Sequence, residues 1–281
     1  MMVTCDLCPN MCDIAAGGVG ACRARGVTMH PCTREENVVS LSYGKLTSVA
    51  LDPIEKKPLN RFYPGSMILS VGSFGCNLRC PWCQNHGISM AKESDVQTRY
   101  IAPDGLAGLV EEYMPKGNIG VAFTYNEPLV SFEYVYDTSK ILRRRGMKSV
   151  LVTNGCANPG YFEKLLPFID AMNIDLKSIN PDFYKKIGGD LTIIQNNIRA
   201  AAERCHVELT CLLINGENDS RDEMEEMTDF IAGVSPEIPF HISRFFPQYR
   251  MRDRAPTDIR TLERFAEIAR GRLSHVYLGN V

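Results

Sequence analysis

Met67-Ile-Leu-Ser-Val-Gly-Ser-Phe-Gly-Cys76-Asn-Leu-Arg-Cys80-Pro-Trp-Cys83-Gln-Asn85 decides how this chain is read, because an apolar, strand-forming run passes straight into a loop with three cysteines at x3 then x2 spacing. Three thiolates without a fourth leave a metal site open. A cubane iron–sulfur cluster is closed only when each iron carries a thiolate, so a three-cysteine loop leaves one iron free to chelate something else. The competing readings at this point are a zinc site completed by His86, three residues after Cys83, or cysteines that merely fill a core.

Beyond this loop, short apolar strands alternate with amphipathic helical stretches. Strands are expected at 67–73, 119–124, 148–153, 171–175, 206–214, 238–242 and 275–279. Asp104 is expected to cap a helix bearing Leu106, Leu109, Val110 and Tyr113, and Ser220 with Glu223 to form a capping box ahead of Met224, Met227, Phe230 and Ile231. Six or seven βα units predict an α/β fold with a parallel sheet, as a partial or nearly closed (β/α) barrel rather than a flat doubly wound sheet. In either arrangement the site belongs at the C-terminal ends of the strands, where the cysteine loop lies.

Those ends carry a polar set: Thr124-Tyr-Asn-Glu-Pro128, Thr153-Asn-Gly155, Asp175-Leu-Lys177, Asn215-Gly-Glu-Asn-Asp219, His241-Ile-Ser-Arg244 and Gly279-Asn280. Taken singly, Asn154-Gly155 and Asn215-Gly216 are turn signals. Their recurrence over five or six strands points to side chains converging on one mouth.

The first 34 residues differ in character. Cys5-x2-Cys8-x3-Cys12-x9-Cys22, followed by Cys32, comes with little apolar periodicity and too few core residues to fold unaided, a deficit that a bound metal can supply. Cys5, Cys8, Cys12 and Cys22 read as a closed four-thiolate site for zinc or an auxiliary iron–sulfur cluster, both of which accept four cysteines. Cys32 reads as spare. Three parts follow: a cysteine-rich extension at 1–34, an extended connector at 35–66 and the barrel at 67–281.

Length and composition agree with one such barrel and a small appendage: 281 residues with 44% hydrophobic content can bury a full-size core. A net charge of −2 provides no electrostatic case for nucleic acid or a membrane surface. The odd count of eleven cysteines, a start without a secretory pattern and the lack of an apolar run of roughly 18 residues together predict a cytoplasmic protein whose thiols serve metals or redox chemistry. Arg244, Arg250, Arg252 and Arg254 read as a solvated face, and Cys156, Cys205 and Cys211 as small buried residues.

With Asp52-Pro-Ile-Glu-Lys-Lys-Pro58, Thr124-Tyr-Asn-Glu-Pro128, Asn173-Ile-Asp-Leu-Lys177 and Ser243-Arg-Phe-Phe-Pro247, the three-cysteine loop resembles radical S-adenosylmethionine (SAM) enzymes. The likeness is to the AmmeMemoRadiSam-system radical SAM proteins, related to pyruvate formate-lyase activating enzymes. It implies a [4Fe-4S] cluster on Cys76, Cys80 and Cys83, with the amine and carboxylate of SAM on its free iron. Cleavage would give methionine and a 5′-deoxyadenosyl radical that abstracts hydrogen from a protein, as an activase does, or from a small molecule. An electron donor such as ferredoxin or flavodoxin is implied as well. By the same resemblance Trp82 attends the adenine, and Glu127 beside Asn126 receives the methionine ammonium, although Tyr125-Asn126 stand where the family has two glycines. Lys177 meets the SAM carboxylate, Asp175 serves a nearby cation, Thr153 and Asn154 fall in the cation and ribose region, and His241 lies near the nucleoside. The alternative from another class is a zinc-stabilised binding module with a catalytically silent barrel.

Overall fold

The computed structural model describes residues 2–29 and 35–281, so Cys32 lies outside the described residues. The chain opens with two antiparallel pairs, β1 (Met2–Cys5) with β2 (Cys12–Ala15) and β3 (Arg25–Met29) with β4 (Glu36–Ser40), then the short β5 (Lys45–Leu46). One eight-stranded sheet follows. It is built from β6 (Ser48–Pro53), β7 (Met67–Gly72), β9 (Asn118–Phe123), β10 (Lys148–Thr153), β11 (Ala171–Asp175), β12 (His206–Leu213), β13 (Phe240–Arg244) and β14 (Val276–Gly279). The two-residue β8 (Arg99–Tyr100) returns to pair with β5.

Sheet order is β14-β13-β12-β11-β10-β9-β7-β6, parallel from β7 to β14, with β6 antiparallel on the edge. Because β6 and β14 do not pair, the barrel is open along that seam. All seven expected strands are present. β6 was not expected: it falls, like β4, in the stretch read as a connector, and its exposed Val49 and Ala50 blur the apolar alternation. The parallel strands are buried on both faces, which explains runs such as Val150-Leu-Val152. Gly120 is required between β9 and β10, since a Cβ there would collide with the Lys148 backbone.

Helix starts depart from the sequence reading in two places. Pro103, with its preset φ and no N–H, takes the first position of the helix Pro103–Tyr113, so Ala102 is the cap and Asp104 sits in the first turn, paired with Arg145 at 3.1 Å. Ser220 does cap the helix Arg221–Val234, accepting from the Glu223 N–H, but the Glu223 carboxylate goes to Ser178 Oγ and the Ile179 N–H, so the box is half made. Among the described residues no helix is long and apolar enough to cross a membrane.

The proline-rich segment after β6 closes the floor of the barrel. Ile54, Leu59 and Phe62 pack on Ile68, Val150 and Ala171, which lie within the first three residues of their strands. Above them, fully buried Glu208 accepts hydrogen bonds from the Asn60 and Arg61 N–H groups at 3.0 and 2.7 Å and meets Nε2 of His206 and His241 at 2.9 and 2.6 Å. Burial alone would raise its pKa, but these partners win and lower it to about 2. A depressed carboxyl contributes stability above its unfolded value and loses it as pH falls toward the folded value, so this contribution should fade between roughly pH 4.5 and 2. Glu208→Ala is expected to destabilise the fold by about 3–5 kcal/mol in denaturant titrations at pH 7, because it strands several buried donors. Wild-type stability at pH 7 would contradict this account.

Candidate active site

After β7 the chain turns through Ser73-Phe74-Gly75 into Cys76. Gly75 has φ +86°, and a Cβ there would strike Cys22 O and Ala24, so the turn requires glycine. Asn126, beyond β9, clamps the turn: Oδ1 accepts the Ser73 N–H at 2.9 Å, and Nδ2 donates to Phe74 O and Gly75 O at 3.1 and 3.0 Å. Further along, the Arg79 N–H donates to Ile187 O at 2.8 Å and the Arg250 N–H to Pro81 O at 2.9 Å. His86 stacks on Tyr249 at 4.5 Å with Nδ1 3.1 Å from Cys83 O, so its ring anchors the loop and the zinc reading through His86 gains no support.

Cys76, Cys80 and Cys83 are free thiols lining one cavity of about 390 Å3. Burial pushes Cys76 far up and Cys80 up to about 11, and raises Cys83; Glu127 adds to the effect at Cys76, whereas Lys177 opposes it at Cys80. Neutral, buried thiols become strong ligands only when a metal displaces their protons.

Trp82, Asn126, Glu127, Thr153, Asn154, Asp175 and Lys177 line the same cavity. Glu127 is almost completely buried. Its Oε1 accepts from Thr153 Oγ1 at 2.7 Å and the Leu129 N–H at 3.0 Å, and Oε2 from the Asn154 N–H at 2.7 Å. Burial raises its pKa to about 7 despite these donors. Asn154 Nδ2 also reaches Asn77 Oδ1 at 2.9 Å and Cys76 Sγ at 3.7 Å, tying the acid to the cysteine loop. Lys177 Nζ donates to Asp175 Oδ2 at 2.7 Å. Burial alone would lower the lysine pKa, but Asp175 and Cys80 outweigh it and keep the ammonium charged. Trp82 is buried with its ring 5.3 Å from Phe183.

Three expectations need correction. His241 does not line the cavity: it lies a layer lower, against Glu208 and stacked on Tyr277 at 5.1 Å, and Ser243, two residues closer to the strand's C-terminal end, takes the cavity position. Asn126 is at the cavity, but its amide is occupied by the turn backbone, so it positions the cysteine loop. Of the four arginines read as a solvated face, Arg250 and Arg252 are exposed, whereas Arg244 and Arg254 are partly buried, Arg244 Nε donating to Thr257 O at 2.7 Å and Arg254 pairing with Glu217 at 2.7 Å.

Tyr125 was quoted in a motif and assigned no role. It takes φ +70°, rare for a tyrosine, lines the cavity and donates its hydroxyl to Asp52 Oδ2 at 2.8 Å. Buried Lys57 donates to the same oxygen at 2.8 Å and lies 5.0 Å from the Tyr125 ring centroid. The replacement of a family glycine, together with the Asp52–Pro58 motif, was the signal available for this wall of the cavity.

The four N-terminal cysteines of the predicted second site are also neighbours. Cys5 stands opposite Cys12 in the β1–β2 register, and Cys8 and Cys22 are both close enough to Cys5 for the thiols to oppose one another's ionisation. Among the described residues, no group of three or more His, Cys, Asp or Glu could hold a single metal ion.

The sequence profile of the Radical SAM superfamily matches residues 70–231, more than half of the chain. The chain belongs to the radical SAM superfamily. It is 37% identical to an uncharacterized protein of Methanocaldococcus jannaschii over 99% of this chain and 81% of that one. It is also similar to the pyruvate formate-lyase-activating enzyme of Clostridium pasteurianum, 24% identical over 57% of this chain and 67% of the relative. Among solved structures, a radical SAM methyltransferase from Sphaerobacter thermophilus shares the fold with a TM-score of 0.56 at 17% identity, over 77% of this chain and 67% of that one. Radical SAM membership implies a [4Fe-4S] cluster and SAM. The donor set fits both, with three soft sulfurs on one loop and a buried carboxylate and ammonium across the same cavity.

Proposed function

We propose that this radical SAM protein reductively cleaves SAM at a cluster held by Cys76, Cys80 and Cys83, and acts on a protein substrate in the manner of an activating enzyme or on a small molecule. The observation that carries the reading is one cavity joining the three-cysteine loop to Glu127 and Lys177. When bound, the cluster supplies the electron that splits the SAM sulfonium into methionine and a 5′-deoxyadenosyl radical. The protein's own groups do the rest. Glu127, aimed by Thr153, Leu129 and Asn154, accepts from the methionine amino group, and Lys177, held by Asp175, receives the carboxylate. Trp82 packs against the nucleoside side of the cluster loop, and Asn126 keeps the loop turn in place. Burial of these groups keeps water from a radical that reacts with whatever it touches first. A ferredoxin- or flavodoxin-like protein supplies the electron, and Cys5, Cys8, Cys12 and Cys22 hold a second metal centre.

The deciding experiment is anaerobic reconstitution followed by reduction with dithionite in the presence of SAM. The expected result is a reduced-state EPR signal that changes on SAM addition, with methionine and 5′-deoxyadenosine as products. Zinc alone in the purified protein, with no nucleoside released under strong reductant, would overturn the proposal.

A further inference from the structure

We propose that the N-terminal centre is an iron–sulfur cluster on Cys5, Cys8, Cys12 and Cys22, and that it delivers electrons to the catalytic cluster across the Cys22–Cys76 contact. The inference rests on the reading of Cys76, Cys80 and Cys83 above and adds the route by which their cluster is reduced.

The first observation is the thiol set itself. All four cysteines are free; Cys5, Cys8 and Cys22 are buried, and Cys12 is partly exposed. They neighbour one another, Cys5 across the β1–β2 register from Cys12, and Cys8 and Cys22 both close to Cys5. A cubane places each thiolate on its own iron and so draws its ligands from a wider frame.

The second observation is a set of donors around these sulfurs, one of them buried and unpartnered. The Ala21 N–H donates to Cys12 Sγ at 3.4 Å, and backbone N–H groups of Asn10 and of Ala24 and Arg25 face Cys8 and Cys22. Arg25, only 3% exposed, donates through Nη1 and Nη2 to Glu133 at 2.9 and 2.8 Å and through Nη1 to Val130 O at 3.3 Å, and it also faces Cys5. Its Nε is buried with no partner, as is Arg23 Nη1. A buried donor left unpaired is costly, and anionic sulfur is an acceptor that would satisfy it. Arg25, facing Cys5, also offsets part of the negative charge of a four-thiolate centre.

The third observation connects the two centres. The Cys76 N–H donates to Cys22 O at 3.1 Å, and Asn10 Nδ2 donates to Asn77 O at 3.0 Å. From Cys22 Sγ to Cys76 Sγ the path runs through the two cysteines' own bonds and one hydrogen bond. Zinc has no redox chemistry and could not use this link. In each turnover one electron leaves a low-potential iron–sulfur or flavin protein, enters the N-terminal cluster and moves on to the catalytic cluster. The first cluster returns to its oxidised state, and no proton is transferred.

The test compares wild type with Cys8→Ser and Cys12→Ser after anaerobic reconstitution, reading iron, sulfide and zinc content, the EPR signal, and 5′-deoxyadenosine release driven either by dithionite or by reduced ferredoxin. Wild type should hold about eight irons and no zinc, and each variant about four. Both variants should keep the SAM-sensitive signal, and their rate loss with ferredoxin should exceed that with dithionite by about tenfold or more. Four irons plus zinc in wild type, eight irons in the variants, or equal losses with the two donors would overturn the inference. Should Cys8→Ser fail to fold, Cys12→Ser, at the partly exposed ligand, decides alone. A wild type that binds eight irons yet releases no nucleoside would sink the proposed function and leave the second cluster standing.

Discussion

Cys80→Ala should release no detectable 5′-deoxyadenosine and should lose about four irons per chain relative to wild type. Cys80 is the middle cysteine of the loop, buried at 7% exposure and facing Lys177. Removing it leaves Cys76 and Cys83 to grip a cluster that already has one iron without a protein ligand, so a second iron would be open and the cluster would be lost. Truncation of a side chain this small disturbs the loop little, because Asn126, Ile187 and Arg250 hold its backbone through contacts that do not involve the thiol. Cys156→Ala is the matched control: that thiol is buried and free but does not line the cavity, and it should retain iron and turnover. Product analysis by chromatography with parallel iron determination checks both variants. Turnover by Cys80→Ala would show that the ligands have been assigned wrongly.

Glu127→Gln should weaken SAM binding by roughly two orders of magnitude, in line with about 2–5 kcal/mol for truncating one member of a buried charged pair. The same residue predicts a pH profile. Burial raises the Glu127 pKa to about 7, so in the free protein the acid is increasingly neutral as pH falls below that value. Only as the carboxylate does Glu127 act purely as an acceptor for the N–H groups of the SAM amine. Binding should therefore weaken as pH drops below 7, approaching about tenfold per pH unit, and level off above it. In Glu127→Gln, which has no proton to lose, the share of that dependence owed to Glu127 should disappear between pH 5 and 8. Equilibrium binding of SAM to the reconstituted, unreduced protein measures both effects without turnover. A wild-type profile that is flat across pH 7 would remove Glu127 from the ammonium site.

Much of the fold could be read in advance, for a physical reason. Strands buried on both faces must be apolar throughout, so 148–153 and 171–175 stand out from the amphipathic helices between them. β6 escaped because adjacent Val49 and Ala50 are both exposed and the run carries Ser48, Asp52 and Pro53, so no apolar alternation shows. Ligand spacing also survives translation into structure, since three cysteines within eight residues cannot be far apart. His241 was misplaced because two residues along a strand shift a side chain by about 7 Å, enough to move it from the mouth to the layer beneath. Asn126 was misread because its neighbour Glu127 faces the cavity, while its own amide finds three carbonyl and amide partners in a turn some fifty residues away.

The sequence by itself determined the chemistry on offer: a three-thiolate loop after an apolar strand, a four-thiolate extension and polar groups at the strand ends, all local properties of residue type and spacing. Tertiary structure alone decided which of these meet. Lys177 faces Cys80 across the cavity, Glu127 is dry enough for its pKa to approach neutrality, and Cys22 lies one hydrogen bond from Cys76. Those relations depend on burial and on contacts between residues far apart in the sequence, which only the tertiary fold brings about.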